Sequence, residues 1–291
     1  MSNELLRMVV EPGLSEDAYA SVRDLAKRCQ EHDGLTLKLN ETFLRTRPAY
    51  EVNDLLYYAG DRLVGYLGLH QFQMHEVELT GMVDPAYRRR GIFSALVAEA
   101  RQEIDDRGAS VLIFISPQES NSGKCCLQSL GASYSFSEYH MLWDGRTRKA
   151  TASNVTLRAA EREEDLHRVA LMTAECFEME EGDVHSSITE ARLPGMKRYL
   201  IEMGEEAIGT IAVNEIDQRE AFLFGFCVLE AFRGKGWGRA ALTAMIGMLS
   251  ERGFSSIALE VAAENRHALS LYEGCGFSIL RANDYFKQSL E

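Results

Sequence analysis

Arg233-Gly234-Lys235-Gly236-Trp237-Gly238 stands between a nearly continuous apolar run, Ala221–Leu229, and a segment of helical periodicity, Arg239–Ser250. An apolar run of that length predicts a central strand, and Leu242, Met245, Ile246 and Leu249 place one apolar stripe on the helix. A strand that ends in a glycine-rich turn opening a helix aims several backbone N–H groups, and the positive end of the helix dipole, at one point. Gly236 and Gly238 let the backbone come close to a ligand there, and Arg233, Lys235 and Arg239 supply positive charge, so the turn reads as a cradle for a pyrophosphate. It lacks the GxxxxGK[ST] pattern of an ATP-type phosphate loop, and it sits mid-domain, where a dinucleotide fingerprint would open one. Taken alone, the same residues are also compatible with a tight turn bearing surface cations.

A degraded copy, Arg88-Arg89-Arg90-Gly91-Ile92-Phe93, lies 145 positions upstream. The same offset relates Val83 to Val228, Arg107-Gly108 to Arg252-Gly253 and Gly131 to Gly276, so the chain reads as an internal duplication. The polar stretch 144–154 is the linker, and the domains read as 1–145 and 154–291. In the second half, Val155–Leu157 reads as a strand and Glu163–Phe177 as a helix. Tyr199–Met203 and Ala207–Asn214 are strands joined by a hairpin at Gly204-Glu205-Glu206. Ser256–Val261 is a strand, His267–Gly274 a helix, and Phe277–Ser289 supplies the last strands. The order is β-α-(α)-β-β-β-α-β-α-β, a mixed α/β layered domain. The first half follows it with strands at Arg62–Gln71, Met74–Val83 and Val111–Ile115, a helix through Phe93–Ile104, and helices around Glu16–Gln30 and Glu41–Arg45.

Composition narrows the function. The formal net charge is −13 and both halves are acidic, which argues against nucleic acid as a partner and favours a cationic acceptor or simple solubility. No apolar stretch approaches a membrane span, and the N-terminal residues lack the pattern of a signal peptide. Six cysteines without CxxC spacing read as free thiols of a reducing cytoplasm, and seven histidines without HxH or HExxH spacing give no metal site.

Downstream of the cradle, Asn265-Arg266-His267-Ala268-Leu269-Ser270-Leu271-Tyr272-Glu273-Gly274-Cys275-Gly276-Phe277 follows a strand. Together with Arg233–Gly238 it resembles the GNAT superfamily of acyl-CoA-dependent N-acetyltransferases, whose [QR]-x-x-G-x-[GA] loop and N-x-x-A-x-x-L-Y-x-x-x-G-F segment it matches. The resemblance covers residues 154–291 well and 1–145 more weakly. It implies two tandem GNAT-fold domains, each a central mixed sheet flanked by helices, and acetyl-CoA as co-substrate without a metal. Residues Arg233, Gly234, Lys235, Gly236, Trp237, Gly238 and Arg239 would hold the pyrophosphate. The backbone of Phe226, Cys227 and Val228 would pair with the pantetheine arm, and Asn265 would contact the cofactor. Tyr272 would protonate the departing thiolate. The partner would be a small-molecule or peptide amine, and the chain a monomer or homodimer. The tandem arrangement is also similar to that of the mycothiol synthases, which leaves a thiol- or amino-sugar metabolite as a second acceptor class and an acyl-CoA-binding regulatory module as a non-enzymatic alternative.

The base that takes the amine proton is less legible. Ala221–Val228 contains no carboxylate; Glu220, with Asp217 and Glu215, is nearest, and Glu178, Glu180, Glu181 and Asp183 form an acidic patch after the first helix. Glu260 reads as a structural pairing. In the first copy Arg88, Arg90 and Gly91 keep the cradle, but Phe93 takes the last glycine's place and would hinder approach to phosphate. Leu127 stands where Tyr272 would be, and Ser120 answers Asn265. Glu76 and Glu78 supply carboxylates. Three roles stay open for the first copy, namely weak CoA binding, catalysis by a different acid or a scaffold; loss of catalysis with the fold retained is the preferred reading, with the second copy as the catalytic unit.

Overall fold

The computed structural model describes residues 5–46, 51–71, 74–146, 154–179 and 195–290. It divides into two compact units, 1–137 with 283–291, and 138–282. The sequence halves 1–145 and 154–291 differ from these units at the end of each half. β6 (Ser133–Trp143) and β12 (Phe277–Ser289) each begin in one unit and finish in the other, so each unit is completed by a strand segment from the opposite half of the sequence.

Unit 1 contains β1 (Leu6–Glu11), α1 (Glu16–Asp33), α2 (Glu41–Thr46), β2 (Asp54–Ala59), β3 (Arg62–His70), β4 (Glu76–Val83), α3 (Ile92–Asp105), β5 (Val111–Pro117) and α4 (Asn121–Ser129). Its strands run in the order β1-β2-β3-β4-β5, with the end of β12 beside β5. All neighbours are antiparallel except β4 and β5. Alternate residues of β4 serve the two layers. Val77 and Leu79 join a core with Leu96, Val97 and Ala100 of α3, and Met82 joins a second core with Val22 and Leu25 of α1. Asn283–Ser289 pairs with Val111–Pro117, and Tyr285 and Phe286 are buried there. Asp284 fixes that segment, accepting hydrogen bonds from Ser137 Oγ at 2.7 Å and Gln118 Nε2 at 3.2 Å and facing Lys124 Nζ at 2.7 Å.

Unit 2 contains β7 (Val155–Ala159), α5 (Glu163–Phe177), β8 (Met196–Met203), β9 (Glu206–Glu215), β10 (Glu220–Val228), α6 (Trp237–Glu251), β11 (Ser256–Ala262) and α7 (Arg266–Cys275), in the strand order β7-β8-β9-β10-β11 followed by the end of β6. The element order matches the sequence reading; the optional second helix after α5 would fall within 180–194, outside the described residues. One face of the sheet packs on α6 through Leu223, Ile257, Leu259, Met245 and Leu249. The other packs on α5 through Leu200, Val169 and Met172. The sequence missed β1, β2 and α4 of unit 1, where short, mixed segments give little periodicity, and it also missed the long β6.

Candidate functional site

Strands β10 and β11 pair in parallel only from Glu220–Ser256 to Leu223–Leu259, although both run on to Val228 and Ala262. Beyond Leu223 the β10 edge that would face β11 is therefore without a ladder partner. Opposite, the register of β10 against β9 slips by one residue between Phe224 and Cys227, a β-bulge that bends the strand. Three residues that sequence reasoning missed shape the bulge. Gly225 takes positive φ, 55°. Thr210 Oγ1 donates to the Gly225 carbonyl at 3.0 Å, and the Cys227 thiol lies 3.5 Å from the same hydroxyl. Gly209 lies so near Cys227 that a Cβ on it would come within 2.2 Å of the carbonyl oxygen. Burial pushes the Cys227 thiol up, which suits a packing residue rather than a thiolate.

The glycine-rich turn follows at the end of this strand. Gly234 and Gly236 have φ of 75° and 84°, the left-handed region that a side chain strains to reach, and Gly236 caps α6 without a side-chain hydrogen bond. Apart from each glycine's own chain neighbours, no atom lies within 4 Å of where a Cβ on either would stand, so the turn itself borders open space. The cations chiefly build the loop. Arg233 Nε donates to the Val228 carbonyl at 2.8 Å, and Lys235 Nζ to the Ala231 carbonyl at 3.0 Å, with its ammonium 5.7 Å from the Phe232 ring centroid. The Arg239 guanidinium lies against Gly274 of α7, and the Trp237 indole nitrogen is buried without a hydrogen-bond partner. Asn265 caps α7, its Oδ1 accepting from the Ala268 amide at 3.1 Å.

Tyr272 projects from α7 into the layer beneath this strand end, 8 % exposed, with ring centroids 6.3 Å from Phe226 and 6.1 Å from Phe277. Burial, with the neighbouring Cys227 and Cys275, pushes its hydroxyl up to about 12. The group is therefore protonated at neutral pH, as an ordinary tyrosine also is. The structure brings the cradle, the bulge and Tyr272 to the C-terminal end of β10. It does not bring Glu220 there. That residue is exposed at the strand's opposite end, five positions from Gly225 and so ~16 Å away along the strand. Asp217 is engaged with the amides of Arg219 and Glu220, and Glu215 pairs with Lys197 and Arg252, which against the cost of burial hold its carboxyl low. Glu178 ends α5, exposed; Glu180, Glu181 and Asp183 lie outside the described residues.

Glu260 is the first residue of β11 past its last pair with β10. It faces His140 of β6 across the ladder, with Nδ1 and Oε1 3.6 Å apart. His140 stacks on Phe222 at 6.2 Å and meets Arg281 Nη2 at 3.4 Å. By register Phe222 and Phe224 share that face with Asn214 and Arg198, whose guanidinium carbon lies 5.4 Å from the Phe224 ring centroid. The pairing expected for Glu260 is present, and it stands at the mouth of the opened strands. Its partner is 120 positions away, too far for any spacing motif to signal.

The family model for the acetyltransferase (GNAT) family matches residues 19–125 and 163–277, more than half of the chain. The chain belongs to that family. Two matched stretches also carry the duplication. Among curated relatives, the [ribosomal protein bS18]-alanine N-acetyltransferase of Escherichia coli (strain K12) is 36% identical over 80 residues, 27% of this chain and 54% of that protein. The uncharacterised N-acetyltransferase YycN of Bacillus subtilis (strain 168) is 40% identical over 66 residues, 23% of this chain and 42% of its own length. The chain thus spans about half the length of the curated relatives it matches. In fold, it resembles a GCN5-related N-acetyltransferase from Sphaerobacter thermophilus, with a TM-score of 0.79 and 18% identity over 97% of this chain and 95% of that one. A tandem GNAT protein from the clavulanic acid biosynthesis pathway gives 0.71 and 17% over 98% of both. Among the described residues no His, Cys, Asp or Glu cluster could hold a metal, and no helix is long and apolar enough to cross a membrane.

Proposed function

We propose that this GNAT-family chain transfers an acetyl group from acetyl-CoA to a primary amine, and that unit 2 carries the reaction. The observation that carries the reading is the convergence, at one end of β10, of an open N–H cradle, an unpaired strand edge beside a bulge, and a buried, protonated tyrosine. These fit the co-substrate in turn. The head of α6 suits the pyrophosphate, and the free edge of residues 224–228 suits the amides of the pantetheine arm. The bulge turns backbone N–H toward the thioester carbonyl, where negative charge would grow.

The amine nitrogen attacks the carbonyl carbon, the new N–C bond forms and the C–S bond breaks. Tyr272 gives its proton to the departing sulfur, so the thiol leaves neutral, and is reprotonated from solvent. The amine proton passes to the Glu260–His140 pair, directly or through one water, which takes the role the sequence assigned to Glu220. On the face opposite α6, Arg281 meets His140 of that pair and Arg198 lies over the Phe224 ring. Two guanidiniums on that face favour an amine that also bears an anionic group, such as a free amino acid, over a polyamine. The bS18-alanine relative supports an amino-acid amine as acceptor, without bearing on the anionic group.

Gly236→Asp tests the reading by putting a side chain on a left-handed residue and a negative charge in the cradle. Amine-dependent release of free thiol from acetyl-CoA is expected to vanish while the circular-dichroism spectrum is unchanged. Undiminished release would overturn the assignment of unit 2.

A further inference from the structure

We infer that Arg281 is a positioning residue for proton transfer in unit 2. By donating to His140 Nδ1 it sets the tautomer of that ring, and so makes the Glu260 carboxylate, not the imidazole, the first acceptor of the amine's proton. The kinetic consequences rest on the reading of unit 2 as a transferase; the tautomer does not.

Three strands bring the groups together. Glu260 of β11 and His140 of β6 are cross-strand partners, with side chains 14 and 13 % exposed. β12 neighbours β6 on its other side, and Arg281 reaches from it to the same ring. Arg281 Nη2 stands 3.4 Å from His140 Nδ1, and Glu260 Oε1 stands 3.6 Å from that same atom. The two neighbours make opposite demands on one nitrogen. A guanidinium has five N–H donors, no acceptor and a permanent charge, so its contact requires a lone pair on Nδ1. A carboxylate only accepts, so it calls for an N–H there. The 3.4 Å contact has hydrogen-bond geometry and the 3.6 Å one lies beyond that range. Neutral His140 therefore carries its proton on Nε2.

The surroundings hold this arrangement. The Phe222 ring of β10 stacks on the imidazole at 6.2 Å, with the planes 24° apart, which limits how the imidazole turns. Arg281 Nε is buried without a hydrogen-bond partner, so the guanidinium is not locked into a fork along that edge. Burial pulls Arg281 below the usual arginine value, and the Glu260 charge works against that pull. Among the described residues, the charged groups facing the ring are Glu260 from β11 and Arg281 from β12; Glu138 stands two positions earlier on the same face of β6.

With its proton on Nε2, the imidazole has one lone pair, at Nδ1, and Arg281 occupies it. The amine proton therefore goes first to a Glu260 oxygen: the N–H bond breaks, an O–H bond forms and the carboxylate becomes neutral. Glu260 then passes the proton to Nδ1, displacing Arg281 and leaving an imidazolium beside a carboxylate. The guanidinium disfavours that imidazolium, like charge against like, so the proton moves on to solvent and the base is reset.

Nitrogen-15 NMR of the histidine-labelled chain at alkaline pH, without substrates, tests the inference, with His140→Gln assigning the signals. The wild-type ring is expected to show Nε2–H and a bare Nδ1. Arg281→Met, which keeps length and removes the donor, is expected to show the reverse tautomer, and Arg281→Lys the wild-type one. In amine-dependent thiol release, Arg281→Met makes Nε2 the bare nitrogen, so the imidazole replaces the carboxylate as first acceptor. The acidic limb of kcat/KM then moves up by at least about one pH unit, toward the imidazole range. His140→Gln lowers kcat/KM about tenfold, less than the roughly 10²-fold of Glu260→Gln. A wild-type ring protonated on Nδ1, an unchanged tautomer in Arg281→Met, or a larger loss for His140→Gln than for Glu260→Gln overturns the inference. The wild-type spectrum decides even where Arg281→Met does not fold. Absence of amine-dependent release by the wild type overturns instead the reading of unit 2 and leaves the spectrum untouched, so the two failures are distinguishable.

Discussion

Deleting the last nine residues, 283–291, should unfold the N-terminal half of the chain and spare the C-terminal half. Unit 2 ends at residue 282, and the chain beyond that residue belongs to unit 1. There Asn283–Ser289 covers β5 in seven cross-strand pairs, and Tyr285 and Phe286 are buried to 1 and 3 % exposure. Burying two such rings contributes roughly 2–3 kcal/mol each. The deletion also leaves Lys124, Gln118 and Ser137 without the Asp284 carboxylate they share. Against a total of ~5–15 kcal/mol for a domain, a loss of about 5 kcal/mol from the rings alone empties most of the margin. Native-state hydrogen exchange read by mass spectrometry gives the assay. Peptides of β2 to β5 and α3 should lose protection while those of β9, β10 and α6 keep it. Phe286→Ala is the milder form, with about 3–4 kcal/mol lost from unit 1 alone. Faster exchange confined to residues 155–282, or none anywhere, would refute the exchange of strand segments.

Other consequences concern the site in unit 2. Thr210→Val removes the hydroxyl that holds the Gly225 carbonyl while keeping its volume, so kcat should fall about tenfold with the KM for acetyl-CoA nearly unchanged. Thr210→Ser should recover it; an unchanged kcat for the valine variant would show the bulge needs no such anchor. Glu260→Gln should lower kcat/KM by about 10²-fold and reshape the acidic limb of its pH profile. A profile identical to wild type would remove the pair from proton transfer. Tyr272 carries a pH signature of its own. Its folded-state hydroxyl is raised above the unfolded value, so the resulting stability is complete below about pH 10, the tyrosine reference, and is lost as the pH climbs toward about 12. Thermal melts should show no tyrosine-linked loss below pH 10, and a Tyr272-dependent fall near pH 8 would contradict the burial argument.

The sequence made the turn at 233–238 and its echo readable because phosphate cradles demand glycine at fixed places and repeats keep their spacing. Helices and the apolar central strands were legible for the same reason, that burial imposes a period. Strand exchange left no such mark. The alternation in β12 says which residues are buried and nothing about which neighbour they are buried against. The bulge was hidden because Ala221–Leu229 is apolar on both sides of it, so the slipped register changes no letter. Glu220 was chosen for nearness in sequence, whereas strand geometry places it at the end of β10 opposite the turn, and Glu260 and His140 lie where β10 and β11 part. Phe93 looked like decay when compared only with Gly238. Compared together with Gly81 and Phe226, it is one ring moved from strand to helix.

The central claim is that the cradle, bulge and tyrosine of unit 2 form a working acetyl-transfer site. Its most direct measurement is amine-dependent thiol release from acetyl-CoA, run across a panel of amino acids, peptides and polyamines, for wild type and Tyr272→Phe. The account predicts turnover by wild type with at least one carboxylate-bearing amine. It predicts a fall of about 10²-fold or more in kcat for Tyr272→Phe, with acetyl-CoA affinity within about twofold of wild type. Equal turnover by the two proteins would contradict it.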